Sequence, residues 1–116
     1  MLLKLGSFVQ EEKYYVGKGC QYNVKKDEAT SRPKSFQAGV RCCSCDGKSC
    51  QTHLRCPAEY MSYDDAKKEC HEKGLRLCTK EELTSGVCCN TGGNCNGHLT
   101  WTSQPEPGMH VHILVC

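Results

Sequence analysis

The sequence predicts a small α+β domain held together by disulfides, with two short helices packed on a small antiparallel sheet. Three observations lead there. Twelve cysteines occur in 116 residues, a density typical of disulfide scaffolds. Ser62–Thr79 (SYDDAKKECHEKGLRLCT) reads as a capped amphipathic helix, a glycine stop and a short strand. Phe36–Ser44, Leu99–Ser103 and His110–Cys116 alternate along the chain as half-buried strands do.

Length and composition narrow the reading. A chain of 116 residues is one domain on length alone. Hydrophobic residues make up 38% even with cysteine counted, and aromatics 7%, so cross-links must compensate for a thin core. An even number of cysteines permits complete pairing, but on the order of ten thousand connectivities are open. Oxidised cysteines imply an extracellular, lumenal or periplasmic setting, and the chain is read as secreted. The start, MLLKLGSFVQEEKYY, is broken by Lys4 and has no small-residue cleavage site, so it does not read as a signal peptide. The chain is therefore read as a mature protein or a piece of a larger one. No apolar run reaches membrane-spanning length. Net charge is +2, from 15 basic and 13 acidic residues mixed along the chain, which offers no field for nucleic acid or an anionic membrane.

The elements follow in order. Residues 1–35 are polar and read as an N-terminal arm tethered by Cys20; the body is 36–116. Within the arm, Lys13–Val16 has the makings of a short strand, and the charged Lys25–Ser35, with Pro33, reads as an exposed loop. In Phe36–Ser44, Phe36, Ala38, Val40 and Cys42 share one face, and Gln37, Gly39, Arg41 and Cys43 the other. Adjacent Cys42 and Cys43 must therefore bond to different partners. Asp46-Gly47 supplies turn chemistry between Cys45 and Cys50, which either close this loop or staple it to neighbours.

Ser62 and Asp65 form a capping box, and Tyr63, Ala66 and Cys70 fall on one helical face. Gly74 stands where a helix-ending glycine belongs. Leu75 and Leu77 then alternate with Arg76 and Cys78. Thr79 with Glu82 is a second capping box, opening a short helix to about Thr84 that Gly86 ends. Cys88 and Cys89 are a second adjacent pair. Asn90–Gly97 is a loop rich in glycine and asparagine, and Gln104–Gly108 a rigid turn. Val111, Ile113 and Val115 give the last strand its core face.

The order helix, G-L-R-L-C-T strand, capped short helix, tryptophan strand and final apolar strand resembles a C-type-lectin-like domain over about Phe36–Cys116. Ala66, Cys70, Gly74 and Leu77 match the family's opening, and Arg76–Glu82 is also similar to the formylglycine-generating-enzyme relatives of this fold. The spacing VRCC…GLRLCT…GVCC…WTS resembles cysteine-rich extracellular modules of invertebrates and protists. The resemblance implies a disulfide between Cys70 and Cys116, and a recognition function. The family's calcium-dependent sugar site is not expected, because Gln104-Pro105-Glu106-Pro107 is followed by no W-N-D.

Candidate chemistry is sparse. Two zinc sets compete with disulfide pairing: Cys42 and Cys45 with Cys50, and Cys88 and Cys89 with Cys95 and His98. Neither has standard spacing, so no metal and no cofactor are expected. His110 and His112 project from one strand face, as metal ligands, a pH switch or solvent-exposed residues. The sequence has no nucleophile elbow, zincin motif or phosphate loop, so an enzyme is not expected. Asn90, Asn94, Asn96, His98 and Trp101 are the candidate ligand-binding residues. Trp101 lies on the Leu99 face, so its alternatives are core packing and stacking on a ligand. The expected function is recognition of a glycan or extracellular protein ligand. The alternatives are a matrix or adhesive component, and a secreted toxin or defence protein.

Overall fold

The computed structural model describes residues 12–21, 29–106 and Cys116. Two small antiparallel sheets and two helices make up the fold. The larger sheet has the order β2-β1-β6, from Thr30–Pro33 (β2), Lys13–Lys18 (β1) and Leu99–Pro105 (β6). The smaller has the order β4-β3-β5, from Cys50–Gln51 (β4), Cys42–Cys43 (β3) and Arg76–Leu77 (β5). Helix α1 spans Tyr63–His71 and α2 spans Lys80–Ser85. Bridges Ala38–Met61 and Gly39–Thr100 connect the intervening chain to its surroundings.

Residues 12–21 and 29–33, within the expected N-terminal arm, contribute strands to the larger sheet. β1 is the central strand of the larger sheet, with Tyr14 opposite Arg32 in β2 and Val16 opposite Trp101 in β6. Tyr14 and Val16 are buried in the main core. KYYV is rich enough in aromatic and β-branched residues to form a strand, and its buried side chains needed a partner that β6 supplies. The expected loop Lys25–Ser35 also changes: Thr30–Pro33 is the edge strand β2, where Pro33 is tolerated. The expected turn over Gln104–Gly108 does not begin at Gln104: Gln104 and Pro105 belong to β6, and residues 107–108 lie outside the described residues. The predicted strand over His110–Val115 lies outside the described residues.

The main core gathers Val16, Val40, Tyr63, Leu77 and Trp101. Tyr14 stacks on Tyr63 with ring centroids 3.8 Å apart, and Tyr63 meets Trp101 edge-on at 5.5 Å. The α1 face predicted from spacing is the one buried: Tyr63, Ala66 and Cys70. Its predicted capping box does not form, because the Ser62 side chain makes no cap bond. Packing satisfies the helix start instead. The Tyr63 N–H donates to the Lys34 carbonyl at 2.9 Å, and Asp64 pairs with Lys34 Nζ at 3.2 Å. At the other end Gly74 adopts φ 73°, and the N–H groups of Gly74 and Leu75 donate to the carbonyls of His71 and Cys70. That is a Schellman closure. A residue with a Cβ resists this left-handed backbone.

The second capping box forms as predicted. Thr79 Oγ1 accepts from the Glu82 N–H at 3.0 Å, while Glu82 Oε1 accepts from the Thr79 N–H at 2.9 Å. Glu82 also receives both Nη groups of Arg76 at 2.8 Å each. Burial alone would raise the Glu82 carboxyl, but Arg76 and the Thr79 donors outweigh it and hold the pKa below the ordinary carboxylate value.

All twelve cysteines are paired. The bridges are Cys20–Cys89, Cys42–Cys70, Cys43–Cys78, Cys45–Cys116, Cys50–Cys88 and Cys56–Cys95. Cys20 thus tethers its segment, and Cys42 and Cys43 divide between two partners, as strand alternation requires; Cys88 and Cys89, in a turn, also have different partners. The expected Cys70–Cys116 bridge is replaced. Cys70 is fully buried where α1 crosses β3, with its Cα 5.4 Å from that of Cys42. Cys116 is exposed and bonds to Cys45, at the exposed turn. Both zinc sets dissolve as well, since every cysteine they need is in a disulfide. A small second core consists of Cys43, Cys78, Cys88 and Leu83, with Cys50 and Val87 against it. There the Cys43–Cys78 and Cys50–Cys88 bridges lie side by side, with Cys78 and Cys88 sulfurs 3.4 Å apart.

Two predictions follow from this packing. Replacing Cys42 and Cys70 together by alanine should cost about 2–4 kcal/mol in denaturant unfolding. Peptide mapping of the unreduced protein should recover Cys42 linked to Cys70; a Cys70–Cys116 peptide would refute the arrangement. Glu82→Gln should cost about 1–3 kcal/mol at neutral pH. Because the folded pKa of Glu82 is depressed, its contribution is complete above the unfolded value of about 4.3 and fades as pH falls through the folded one. The gap between variant and parent should therefore narrow steadily in unfolding measurements below about pH 4; a gap that holds constant would exclude this role for Glu82.

Candidate functional site

The loop that follows α2 is fixed at both ends by sulfur. Cys89 joins Cys20 beyond β1, and Cys95 joins Cys56. Between them the backbone takes left-handed conformations at Asn90 (φ 63°), Gly92, Gly93 and Asn94 (φ 58°). Asparagine and glycine are the residues that tolerate such angles. The result is a surface concavity of about 320 Å³ lined by Asn90, Gly92, Asn94, Cys95 and Asn96. The predicted residues Asn90, Asn94 and Asn96 therefore share one site.

Behind the loop lies a residue that sequence reasoning did not single out. Arg41 is fully buried. Its Nη1 donates to Thr52 Oγ1 at 2.7 Å and Thr91 Oγ1 at 2.5 Å, and its Nη2 to Asn96 Oδ1 at 2.8 Å. All three acceptors are neutral, and the Nε donor has no partner. No carboxylate among the described residues pairs with this guanidinium. Burial brings its pKa down to about 10, so it stays charged at neutral pH. The chain passes over it at Gly19, where a Cβ would run into Arg41 Nε and the Cys95 carbonyl. Strand alternation had placed Arg41 opposite the core face. Both faces of this segment are covered, so Ala38 through Cys43 are all buried.

Asn96 is consequently a structural residue as well as a lining one. Its Oδ1 also accepts from the Asn90 N–H at 3.1 Å, and its Nδ2 donates to Asn90 Oδ1 at 2.8 Å. Thr91 Oγ1 donates to the Cys88 carbonyl at 2.7 Å. Asn94 is exposed, and its side chain has no partner among the described residues.

The other two candidates lie elsewhere. His98 is half-buried, with Nδ1 at 2.7 Å from the Tyr60 hydroxyl and the two rings edge to face. Its carbonyl accepts from the Gly19 N–H. Trp101 takes the core-packing alternative. It is fully buried, and its Nε1 donates to the Met61 carbonyl at 2.8 Å, which leaves no ring face for a ligand. A second concavity, along Asp64, Lys67, Lys68, His71 and Glu72, is the solvated outer face of α1.

Asn96→Ala should lower stability by about 1–3 kcal/mol, since it strips a buried guanidinium of one of its few acceptors. Chemical denaturation measures this, and a cost below about 0.5 kcal/mol, the level of an ordinary surface change, would contradict the arrangement.

Comparison with protein-family models, with curated proteins and with solved structures finds no match to this chain.

Proposed function

We propose that this is a secreted recognition module that binds an extracellular glycan or protein ligand through the 90–96 loop, without a calcium site and without catalysis. The observation that carries the reading is the concavity itself. Its rim presents the exposed side chains of Asn90 and Asn94 on a backbone fixed by the Cys20–Cys89 and Cys56–Cys95 bridges. A rigid loop with outward-facing amides suits ligand recognition, because little order is lost on binding. Complete cysteine pairing favours an oxidising, extracellular setting. No helix among the described residues is long and apolar enough to cross a membrane.

The perturbed ionisable groups support a non-enzymatic reading. Lys34, Arg41, Asp46, Arg76 and Glu82 are each engaged in hydrogen bonds that hold turns, loops, strands or helix ends together. Tyr63, whose pKa burial pushes up, is a core residue. The C-type-lectin-like resemblance belongs to this proposal as its scaffold. The unit of α1, Gly74 and β5, and the tryptophan strand β6 in the core, speak for it. The Cys42–Cys70 pairing departs from it.

A glycan array and a panel of extracellular proteins, probed with the parent and with Asn94→Gly, test the reading. The glycine keeps the left-handed backbone while removing the amide. The expected result is a bound ligand whose affinity falls at least about tenfold in the variant, with unchanged thermal unfolding. Self-association with no ligand in either panel would favour the matrix alternative instead.

A further inference from the structure

The hydrogen-bond chain behind the 90–96 loop has a direction, and Arg41 sets it. A guanidinium has donors only, so Asn96 must present its Oδ1 to Nη2. That forces the Asn96 Nδ2 outward along the loop, where it donates to Asn90 Oδ1. Asn90 must then turn its oxygen inward and its own Nδ2 away. That Nδ2 has no partner among the described residues, and Asn90 is exposed on the rim. Asn96 Oδ1 thus accepts twice, from Arg41 and from the Asn90 N–H, while Asn90 Oδ1 is turned inward to Asn96 and the Asn90 Nδ2 donors face solvent. Each link polarises the next, and a buried full charge at the inner end strengthens the series. Among the described residues the charge has no carboxylate partner: its acceptors are two threonine hydroxyls and one amide oxygen. None of the residues lining the concavity is acidic.

We infer that the concavity selects an oxyanion, a sulfate or carboxylate carried by an acidic glycan, with the Asn90 amide as its donor and Arg41 as the charge behind it. This rests on the recognition reading above and names its ligand class. Arg41 acts through Asn96 and Asn90, so it is a positioning residue and does not touch the ligand. A partly desolvated anion gains most from a cation that has no competing carboxylate. A neutral sugar gains only the hydrogen bond.

The test is titration of the full chain with a sulfated disaccharide, a carboxylated disaccharide, their neutral parent, inorganic sulfate and an acidic peptide. The readouts are affinity and the side-chain amide NMR signals of Asn90 and Asn94. The expected result is at least about tenfold tighter binding of an acidic disaccharide than of the neutral parent, with the Asn90 Nδ2 protons shifted and affinity falling with salt. Asn90→Asp, which leaves Arg41 in place, should remove the preference for the acidic form while unfolding stays cooperative. Arg41→Gln, if folded, should do the same. Equal binding of neutral and acidic disaccharides would overturn the inference and leave the recognition reading standing. Preference for inorganic sulfate alone or for the acidic peptide would overturn the glycan assignment. If no member of this series and no glycan or protein of the wider panels binds, both readings fail.

Discussion

A strand of two residues holds this protein's two cores together. β3 is Cys42–Cys43, and alternation sends its side chains to opposite faces. Cys42 belongs to the main core and bonds Cys70 on α1; Cys43 belongs to the second core and bonds Cys78 just beyond β5. The same division recurs across the ladder, where Leu77 lies in the main core and Cys78 in the second. Strands this short have few backbone hydrogen bonds with which to hold a register. Here the sulfur bonds hold it, and in doing so they fix where α1 sits over the sheet and where α2 begins. The second core has Leu83 as its one fully buried aliphatic side chain, so its interior is largely sulfur. Disulfide pairing therefore supplies both connectivity and packing in a chain too poor in aliphatic residues to do otherwise.

Much of this was legible locally and little of it globally. Thr79–Gly86 could be read residue by residue, because a capping box and a left-handed stop depend on neighbours within one turn. The buried face of α1 and the division of Cys42 and Cys43 between two partners followed from periodicity alone. The Ser62 box had the same signature as the Thr79 box and did not form. Tyr63 N–H and Asp64 found partners in Lys34, nearly thirty residues away in sequence, and no local pattern records such a contact. The role of β1 was hidden for the same reason. A short KYYV segment inside a polar stretch becomes the central strand only because β6 lies beside it, 83 residues later where Thr100 donates to Gly17. Disulfide connectivity is the extreme case, since every pairing joins residues distant in the chain and the sequence is neutral among them.

The candidate site was legible as a place but not as a mechanism. Glycine and asparagine marked the 90–97 segment as a loop, and its observed backbone takes the left-handed angles these residues tolerate. Its organisation comes from Arg41, which looked like the polar partner in an alternating strand. Alternation identifies a solvent face only when one face of the strand is open. The chain that continues into β3 is covered on both sides: by the main core on one, and by Gly19, Thr52 and the 90–96 loop on the other. A charged side chain in a segment enclosed this way must find hydrogen-bond acceptors or carry a large desolvation cost. Thr52, Thr91 and Asn96 are there to meet that requirement.

The distribution of roles among the three asparagines follows from the same constraint. Asn96 is nearest the guanidinium and is committed to it, so its amide cannot serve a ligand without leaving a buried cation short of an acceptor. Asn90 is one step removed: its oxygen is taken by Asn96 and its nitrogen remains. Asn94 is engaged by neither and stays exposed. Commitment to structure thus falls off from the interior to the rim over three residues of one type. A buried charge and its need for oxygen atoms decide which asparagine groups are left for another molecule to meet.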